Sequence, residues 1–236
     1  MSLVIAAIIV GTAFLVLYWV FYGQRKYNEM FVPKRKTELK AVLFDLDGVI
    51  IDSFDAWFSI FNHVRKDLDF EEISKEEFRK NVWGGSVHAD IKNYYKNKDV
   101  KEIEKLYKKL ISKYTHKTKL LPYAKKILEN IKNKKIKIGL VTNAFRKPTV
   151  ETLKFHKIKD YFDAIVTMDD IEKPKPYPDP IIKLCEKLNV MSDEVIFVGD
   201  TKNDYKAGKA AGCFFVGLNI HGDLMISKLS DLLELV

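Results

Sequence analysis

Short apolar runs alternate with helix-forming segments through the second half of the chain, and this alternation restricts the possible folds more than any other feature. Strands are predicted at 39–44, 136–142, 162–167, 194–200 and 213–218. Helices are predicted between and after them, at 122–134, 149–156, 178–188, 203–211 and 225–235. Strands that are apolar along nearly their whole length are typical of a parallel sheet that is covered on both faces. The pattern therefore predicts an α/β fold whose strands are joined by right-handed helical crossovers.

The segment 54–115 differs from the rest because it is rich in Lys, Glu, Phe and Tyr at helical spacings and contains no convincing strand. We predict three or four helices there. Ser74 and Glu77 have the spacing of a capping box, which indicates the start of one helix. The sequence Trp-Gly-Gly-Ser at 83–86 predicts a break between two helices.

The beginning of the chain contains an uncharged apolar stretch of 20 residues between Leu3 and Tyr22. A helix of that length covers about 30 Å, the thickness of the hydrocarbon core of a bilayer. No Lys or Arg precedes the stretch, which disfavours a cleaved signal peptide, and a buried core helix would not need so uniform an apolar surface. We predict a transmembrane anchor at 1–23 and a basic juxtamembrane linker at 24–38. Because basic residues follow the helix, we expect a single-pass protein that contacts the lipid bilayer, with its globular part on the cytoplasmic side.

The charge of the chain does not indicate a nucleic-acid-binding protein. The sequence has 40 Lys and Arg residues against 32 Asp and Glu residues, a formal net charge of +8. Half of this excess lies within the first 40 residues, and the remainder is spread over Lys/Glu-rich helices that are expected to be solvated. We therefore predict no nucleic-acid partner.

Cys185 and Cys213 lack the spacing of a metal site and are expected to be reduced, partly buried thiols.

Polar residues follow the predicted strands at the end where parallel sheets place their sites. These residues are Asp45, Asp47, Thr142, Asn143, Asp200 and Asp204, together with Lys175 from a proline-stiffened loop. Any one of the acids, or Thr142, is commonly a helix cap. Their occurrence at successive strand ends instead predicts that they converge on one edge of the sheet.

The residue types indicate phosphoryl chemistry. Asp45 and Asp200 would crowd negative charge, which a divalent cation relieves, and an all-oxygen ligand set suits Mg²⁺. A metal, a lysine and a hydroxyl around one point form a site for a phosphoryl group. One carboxylate can attack phosphorus to form an aspartyl-phosphate, and a second, such as Asp47, can transfer the proton.

Four motifs in order resemble those of the haloacid dehalogenase-like hydrolase superfamily, in its phosphatase branch with a helical cap, which includes phosphoglycolate phosphatases and β-phosphoglucomutases. They are DLDGVIIDS at 45–53, LVTNA at 140–144, KPYPDP at 175–180 and VGDTKNDYKAGKAAG at 198–212. The resemblance implies that Asp45 is the nucleophile and a metal ligand. It implies that Asp47 is the general acid/base and binds the metal through its backbone carbonyl.

The resemblance also assigns the remaining site residues. Thr142 and Asn143 would bind the transferring phosphoryl group, and Lys175 would neutralise charge on the nucleophile and the phosphate. Asp200 would be a metal ligand, and Asp204 either a ligand or an acid that contacts the ligands. The implied cofactor is Mg²⁺.

The resemblance implies a Rossmann-like core, at 39–54 and 117–236, into which a mobile helical cap at 55–116 is inserted. Trp83, Gly85 and Ser86 would then lie where cap loops reach the substrate, although two glycines also suit a simple turn between helices.

We expect a membrane-anchored, Mg²⁺-dependent phosphatase that acts on a small phosphorylated molecule. A phosphomutase, a phosphonate hydrolase and a non-catalytic membrane-tethered binding protein are the alternatives. The sequence leaves the substrate and the oligomeric state open.

Overall fold

The computed structural model describes residues 37–85, 87–95 and 98–236. The predicted anchor at 1–23, nearly all of the linker at 24–38, and Ser86 lie outside the described residues. Within the described ranges, no helix is both long and apolar enough to cross a membrane. The anchor therefore stays a prediction from the sequence.

A six-stranded parallel sheet forms the centre of the described chain, which confirms the predicted α/β class. Its strands are β1 (Ala41–Phe44), β4 (Lys137–Val141), β5 (Ala164–Val166), β6 (Val195–Gly199), β7 (Phe214–Leu218) and β8 (Leu224–Ile226). Their spatial order is β5-β4-β1-β6-β7-β8, so β1 lies centrally between β4 and β6. All four residues of β1 are buried, as the continuous apolar run requires.

Helices cover both faces of the sheet and bury their apolar residues against it. They are α5 (Ala124–Asn133), α6 (Arg146–Phe155), α7 (Asp179–Leu188) and α8 (Lys202–Ala211). Ala124, Ile127, Leu128 and Ile131 recur at helical spacing along α5 and pack on one side of the sheet. The buried residues of α7 recur in the same way and belong to the cluster on the other side. Each fully buried Leu or Ile stabilises this arrangement by roughly 1.5–3 kcal/mol.

A helical insert follows β1, and we call its four helices the cap. They are α1 (Phe54–Asp67), α2 (Lys75–Asn81), α3 (Val87–Tyr94) and α4 (Val100–Tyr114). Two short antiparallel strands, β2 (Ile51–Asp52) and β3 (Lys119–Leu120), pair where the chain enters and leaves the cap. The cap has its own apolar cluster, rich in aromatic residues. At the start of α2, the side chain of Ser74 accepts a hydrogen bond from the backbone N–H of Glu77, as the capping pattern predicts.

The helix predicted at 225–235 is wrong, because the chain forms β8 there and then a 3₁₀ turn at Leu229–Glu234. The backbone N–H of Asn219 donates to the Ile226 carbonyl, and the Ile226 side chain is buried. The open edge of β7 thus offers backbone partners that outweigh the local helical pattern. Helix α6 begins at Arg146, three residues before the predicted 149, because Pro148 sits in the first turn, where no N–H is required.

Candidate active site

The carboxyl ends of β1, β4 and β6 bring the predicted site residues together at one edge of the sheet. Asp45 follows β1, Thr142 follows β4 and Asp200 follows β6. The loop before α7 supplies Lys175, whose side chain is buried beneath them. The parallel register of three adjacent strands explains why residues far apart in sequence meet at this point.

Lys175 lies between two buried acids. Its Nζ atom is 2.6 Å from Asp45 Oδ1 and 2.6 Å from Asp204 Oδ1. Burial alone would lower the pKa of Lys175, but the charges of Asp204 and Asp45 outweigh it and raise the pKa above its ordinary value. Burial raises the pKa of Asp45 well above its ordinary value, and the charge of Lys175 opposes that shift. This cluster contains two acids, Asp45 and Asp204, and one base, Lys175. The excess of acids favours the binding of a further cation.

Asp204 has both carboxylate oxygens bound by protein donors. Oδ1 accepts from Lys175, and Oδ2 accepts from the backbone N–H of Thr201 at 3.0 Å and from the Thr201 hydroxyl. The Thr201 hydroxyl also accepts from the backbone N–H of Asp204, so the two residues form the capping box that starts α8. Asp204 is fully buried. It thereby fixes Lys175 beside Asp45.

Asp47 is the second acid of the β1 turn and is oriented by two donors. Its Oδ1 accepts hydrogen bonds from the Ser53 hydroxyl and, at 2.9 Å, from the Trp57 indole N–H. Burial raises the pKa of Asp47, and the bonds from Ser53 and Trp57 oppose this rise. A carboxyl group with a raised pKa keeps its proton to a higher pH than an ordinary aspartate, which suits a general acid/base.

The side chain of Asn143 holds the loop that carries Lys175. Its Oδ1 accepts from the backbone N–H of Lys175, and its Nδ2 donates to the Lys175 carbonyl, each at 3.0 Å. Asn143 has two donors left for a phosphoryl group, its backbone N–H and the second N–H of its side-chain amide. The Thr142 hydroxyl accepts from the backbone N–H of Ala144 at 3.1 Å and keeps its own proton for donation. Both residues line the cleft above Asp45.

Asp200 has the character of a metal ligand. Its Oδ1 atom is buried and has no hydrogen-bond partner. One carboxylate oxygen from each of Asp45, Asp200 and Asp204 lies within 4.8 Å of the others. Burial, together with the charge of Asp204, raises the pKa of Asp200 to about 7. An orphaned oxygen within an uncompensated acidic group fits a hard divalent cation with oxygen ligands.

Gly48 makes room for Asp200. A Cβ atom at Gly48 would lie 2.1 Å from Asp200 Oδ2, and the backbone has a φ of +86°. Only glycine adopts this conformation without strain while allowing that approach. Gly48 of the first motif thus leaves the space that Asp200 of the fourth motif occupies.

The cap covers this edge of the sheet and leaves a cleft between the two. Asn203 donates to the carbonyl of Gly84 at 2.8 Å, and a Cβ atom at Gly84 would lie 2.9 Å from the Thr201 side chain. The two-glycine loop therefore sits directly on the turn that follows β6. Trp83 and Gly85 line the cleft. The predicted contact from Ser86 lies outside the described residues.

Several residues of the cleft were not found from the sequence, and most of them belong to the cap or its interface. They are Ser53, Trp57, Asp90, Tyr107, Thr201 and Asn203. Ser53 closes the first motif and Thr201 and Asn203 lie in the fourth, so the motif matches contained a signal for these three. Trp57, Asp90 and Tyr107 come from separate cap helices, and no sequence spacing relates them.

The comparisons with known proteins agree with this geometry. Residues 42–218 match the family model described as haloacid dehalogenase-like hydrolase. The chain is 30% identical over 212 residues to the pyrophosphatase PpaX of Bacillus cereus, covering 84% of this chain and 96% of that protein. It is 31% identical over 210 residues to the phosphoglycolate phosphatase of Aquifex aeolicus, covering 84% of this chain and 97% of that protein. The solved structure of CbbY from Rhodobacter sphaeroides in complex with phosphate is similar with a TM-score of 0.73 at 19% identity, covering 82% of this chain and 96% of that one.

Proposed function

Because this chain belongs to the haloacid dehalogenase-like hydrolase family, we propose that it is a Mg²⁺-dependent phosphatase that hydrolyses a small phosphomonoester through an aspartyl-phosphate on Asp45. Membership makes the chain an enzyme of the hydrolase class, and its relatives are named as phosphatases. The metal, the intermediate and the substrate class are proposals.

One observation carries the mechanism. Asp45 is buried at the end of β1 with one oxygen held 2.6 Å from Lys175 Nζ, and Asp47 lines the same cleft. The other oxygen of Asp45 is free to attack phosphorus, and the bond between phosphorus and the leaving alcohol oxygen then breaks. Asp47 gives its proton to that oxygen. In the second half, Asp47 takes a proton from water, the water oxygen bonds to phosphorus, and Asp45 is released with inorganic phosphate.

The residues at the strand ends would hold the metal. Asp45 and Asp200 would supply carboxylate oxygens, and Asp47 would supply its backbone carbonyl. A bound Mg²⁺ would neutralise charge on the transferring phosphoryl group. Both oxygens of Asp204 already accept hydrogen bonds, so we propose that Asp204 positions Lys175 and does not bind the metal directly.

We also propose that residues 1–23 anchor the enzyme in the bilayer, with the catalytic part on the cytoplasmic side. The support for this comes from the uncharged stretch and the basic residues that follow it. A phosphomutase would share the same four motifs. A phosphonate hydrolase would need a lysine from the cap in the cleft, and the described lining residues include none.

The test is phosphate release from p-nitrophenyl phosphate by the full-length chain in mild non-ionic detergent, with and without Mg²⁺. We expect activity that EDTA removes and Mg²⁺ restores. Asp45→Asn should abolish it, while Asp52→Asn, the same substitution at an exposed aspartate of the same motif, should not. An active Asp45→Asn variant would overturn the mechanism, and a requirement for a bisphosphorylated sugar would identify a phosphomutase instead.

A further inference from the structure

The half of the cleft that faces the leaving group comes from the cap and is largely aromatic. Its aromatic lining residues are Trp57, Phe61, Phe78, Trp83 and Tyr107. Several of these rings contact one another edge to face; Phe61 and Phe78, for example, have centroids 5.4 Å apart. Such a surface is suited to an apolar or cationic group, and its described residues include no Lys, Arg or His that would bind a second phosphate or carboxylate.

Asp90 is the one Asp, Glu, Lys, Arg or His side chain that the described part of the cap contributes to the cleft. It lies on α3 beside the two-glycine loop, since a Cβ atom at Gly85 would be 3.4 Å from Asp90 Oδ1. No described residue donates a hydrogen bond to its carboxylate, and none forms a salt bridge with it. Burial raises the pKa of Asp90 to about 8, so Asp90 holds a proton near neutral pH when the cleft is empty, and a nearby cation favours its ionised form.

Tyr107 lines the same cleft as Asp90. Burial raises the pKa of the Tyr107 phenol. The hydroxyl groups of Tyr95 and Tyr107 lie 3.1 Å apart, and the Tyr95 hydroxyl donates to the Phe61 carbonyl at 3.2 Å. The tyrosines therefore bond to each other and to the backbone, and not to Asp90.

The charges of the cleft disfavour an anionic leaving group. Lys175 is the single cation among the described lining residues, and it is already held by Asp45 and Asp204. A carboxylate or phosphate on the leaving group would lie beside Asp90 and the aromatic residues and would meet no cation from the described part of the cap. A cationic nitrogen would instead pair with Asp90 and rest against the rings.

We propose that the cap selects phosphomonoesters whose alcohol carries a cationic nitrogen, and that Asp90 is the residue that determines this specificity. The proposal rests on the proposed phosphatase function and adds the substrate class to it. It separates this chain from an enzyme that acts on phosphoglycolate or pyrophosphate, whose leaving groups are anionic.

A matched series of two-carbon esters tests the proposal in the full-length enzyme with Mg²⁺. The series is 2-aminoethyl phosphate, ethyl phosphate and phosphoglycolate, which differ in the charge of the leaving group at similar size. We expect kcat/KM to be highest for 2-aminoethyl phosphate and at least about tenfold lower for phosphoglycolate, given the strength of a desolvated cation–π contact and an ion pair.

Variants at position 90 show whether the acid is responsible. Asp90→Asn should remove the preference for 2-aminoethyl phosphate over ethyl phosphate, and Asp90→Lys should reverse the order of the cationic and anionic esters. Glu72→Gln, which removes an exposed acid from the cap, should leave the order of the series unchanged.

The outcomes separate this proposal from the proposed function. Turnover of p-nitrophenyl phosphate combined with no charge preference, or with a preference for phosphoglycolate, would overturn the selectivity and leave the phosphatase standing. If no ester is hydrolysed, the phosphatase fails, and calorimetric titration of the wild-type chain decides the selectivity. Tighter binding of 2-aminoethyl phosphate than of phosphoglycolate would then support it, and equal or weaker binding would overturn it.

Discussion

Replacing Asp90 by asparagine should stabilise the folded chain, and the gain should grow with pH. Asp90 is half-buried in the cleft beside aromatic residues, no described residue donates a hydrogen bond to it, and its pKa is raised to about 8. An unfolded aspartate titrates near about 3.9. Between these two values the folded protein must keep a proton that the unfolded chain releases.

The sign follows from proton linkage. Where the folded state binds more protons than the unfolded state, the free energy of unfolding falls as pH rises. One group contributes ~1.4 kcal/mol per pH unit over this window. From pH 4 to pH 7 the free energy of unfolding of the wild-type chain therefore falls by about 4 kcal/mol because of Asp90. This fall levels off above pH 8. Asparagine does not titrate, so the variant avoids this loss.

The diagnostic quantity is the difference in the free energy of unfolding between variant and wild type, and how steeply it changes with pH. The buried amide that Asp90→Asn introduces would lack partners at a cost of about 1–3 kcal/mol, but that cost does not depend on pH. Burial, and to a smaller extent the charge of Asp90, raises the pKa values of three tyrosines, Tyr94, Tyr95 and Tyr107. Each of these pKa values lies above 10.0, the ordinary value for tyrosine. They therefore do not titrate in the window.

Urea denaturation followed by far-ultraviolet circular dichroism at pH 5, 6, 7 and 8 measures the effect. We expect the free energy of unfolding of the variant to rise by about 1.4 kcal/mol relative to wild type with each pH unit from pH 5 to pH 7. The exposed substitution Glu72→Gln should give a difference that does not change with pH. A difference between Asp90→Asn and wild type that is constant from pH 5 to pH 8 would refute the assignment of an uncompensated acid in the cap.

Three further substitutions test the geometry of the core. Gly48→Ala should lower the Mg²⁺ affinity that supports activity by roughly 10–100-fold, because its Cβ atom would lie 2.1 Å from Asp200 Oδ2; a Mg²⁺ titration of activity measures this. Trp57→Phe removes the indole N–H that donates to Asp47 at 2.9 Å, and should lower kcat toward p-nitrophenyl phosphate by roughly 10–100-fold with a smaller change in KM. Lys175→Met leaves two acids buried without their cation, and should lower the free energy of unfolding by about 3–5 kcal/mol, as measured by urea denaturation, while abolishing activity.

Each of these predictions has a contrary result. Unchanged Mg²⁺ dependence in Gly48→Ala would show that Asp200 does not need the space that the glycine leaves. A rise in KM at constant kcat in Trp57→Phe would show that the indole binds substrate and does not position Asp47. A Lys175→Met variant as stable as wild type would show that the acids around Lys175 are already neutral.

The strands of the core were predictable because burial on both faces leaves an unbroken apolar run. The run from Ala41 to Phe44 could belong only to a central strand, and it lies between β4 and β6 as a central strand should. The end of the chain was not predictable in this way. Residues 225–235 have a helical spacing of apolar residues, and only the free edge of β7 makes Leu224–Ile226 a strand.

The site residues were predictable where they fall within a motif. Lys175 lies in the KPYPDP motif and is buried against Asp45, whereas Lys173, two residues earlier, is exposed. The role of Gly48 was not predictable, because its neighbour Asp200 lies far along the sequence. The structure shows that Gly48 leaves the space that Asp200 occupies.

The acids at the strand ends have partners within the protein, whereas Asp90 in the cap has none among the described residues. We therefore assign the reaction to the first group and substrate selection to the second. At the strand ends, Lys175, Thr201 and Ser53, together with Trp57 from the cap, hold the acids whatever ester is bound. That arrangement can act on the phosphoryl group, which all phosphomonoesters share. In the cap, Asp90 has no such partner within the described chain, so it keeps its proton until a ligand supplies a cation. Relatives that keep the core motifs while acting on different substrates are therefore expected to differ at the position of Asp90 and in the rings around it.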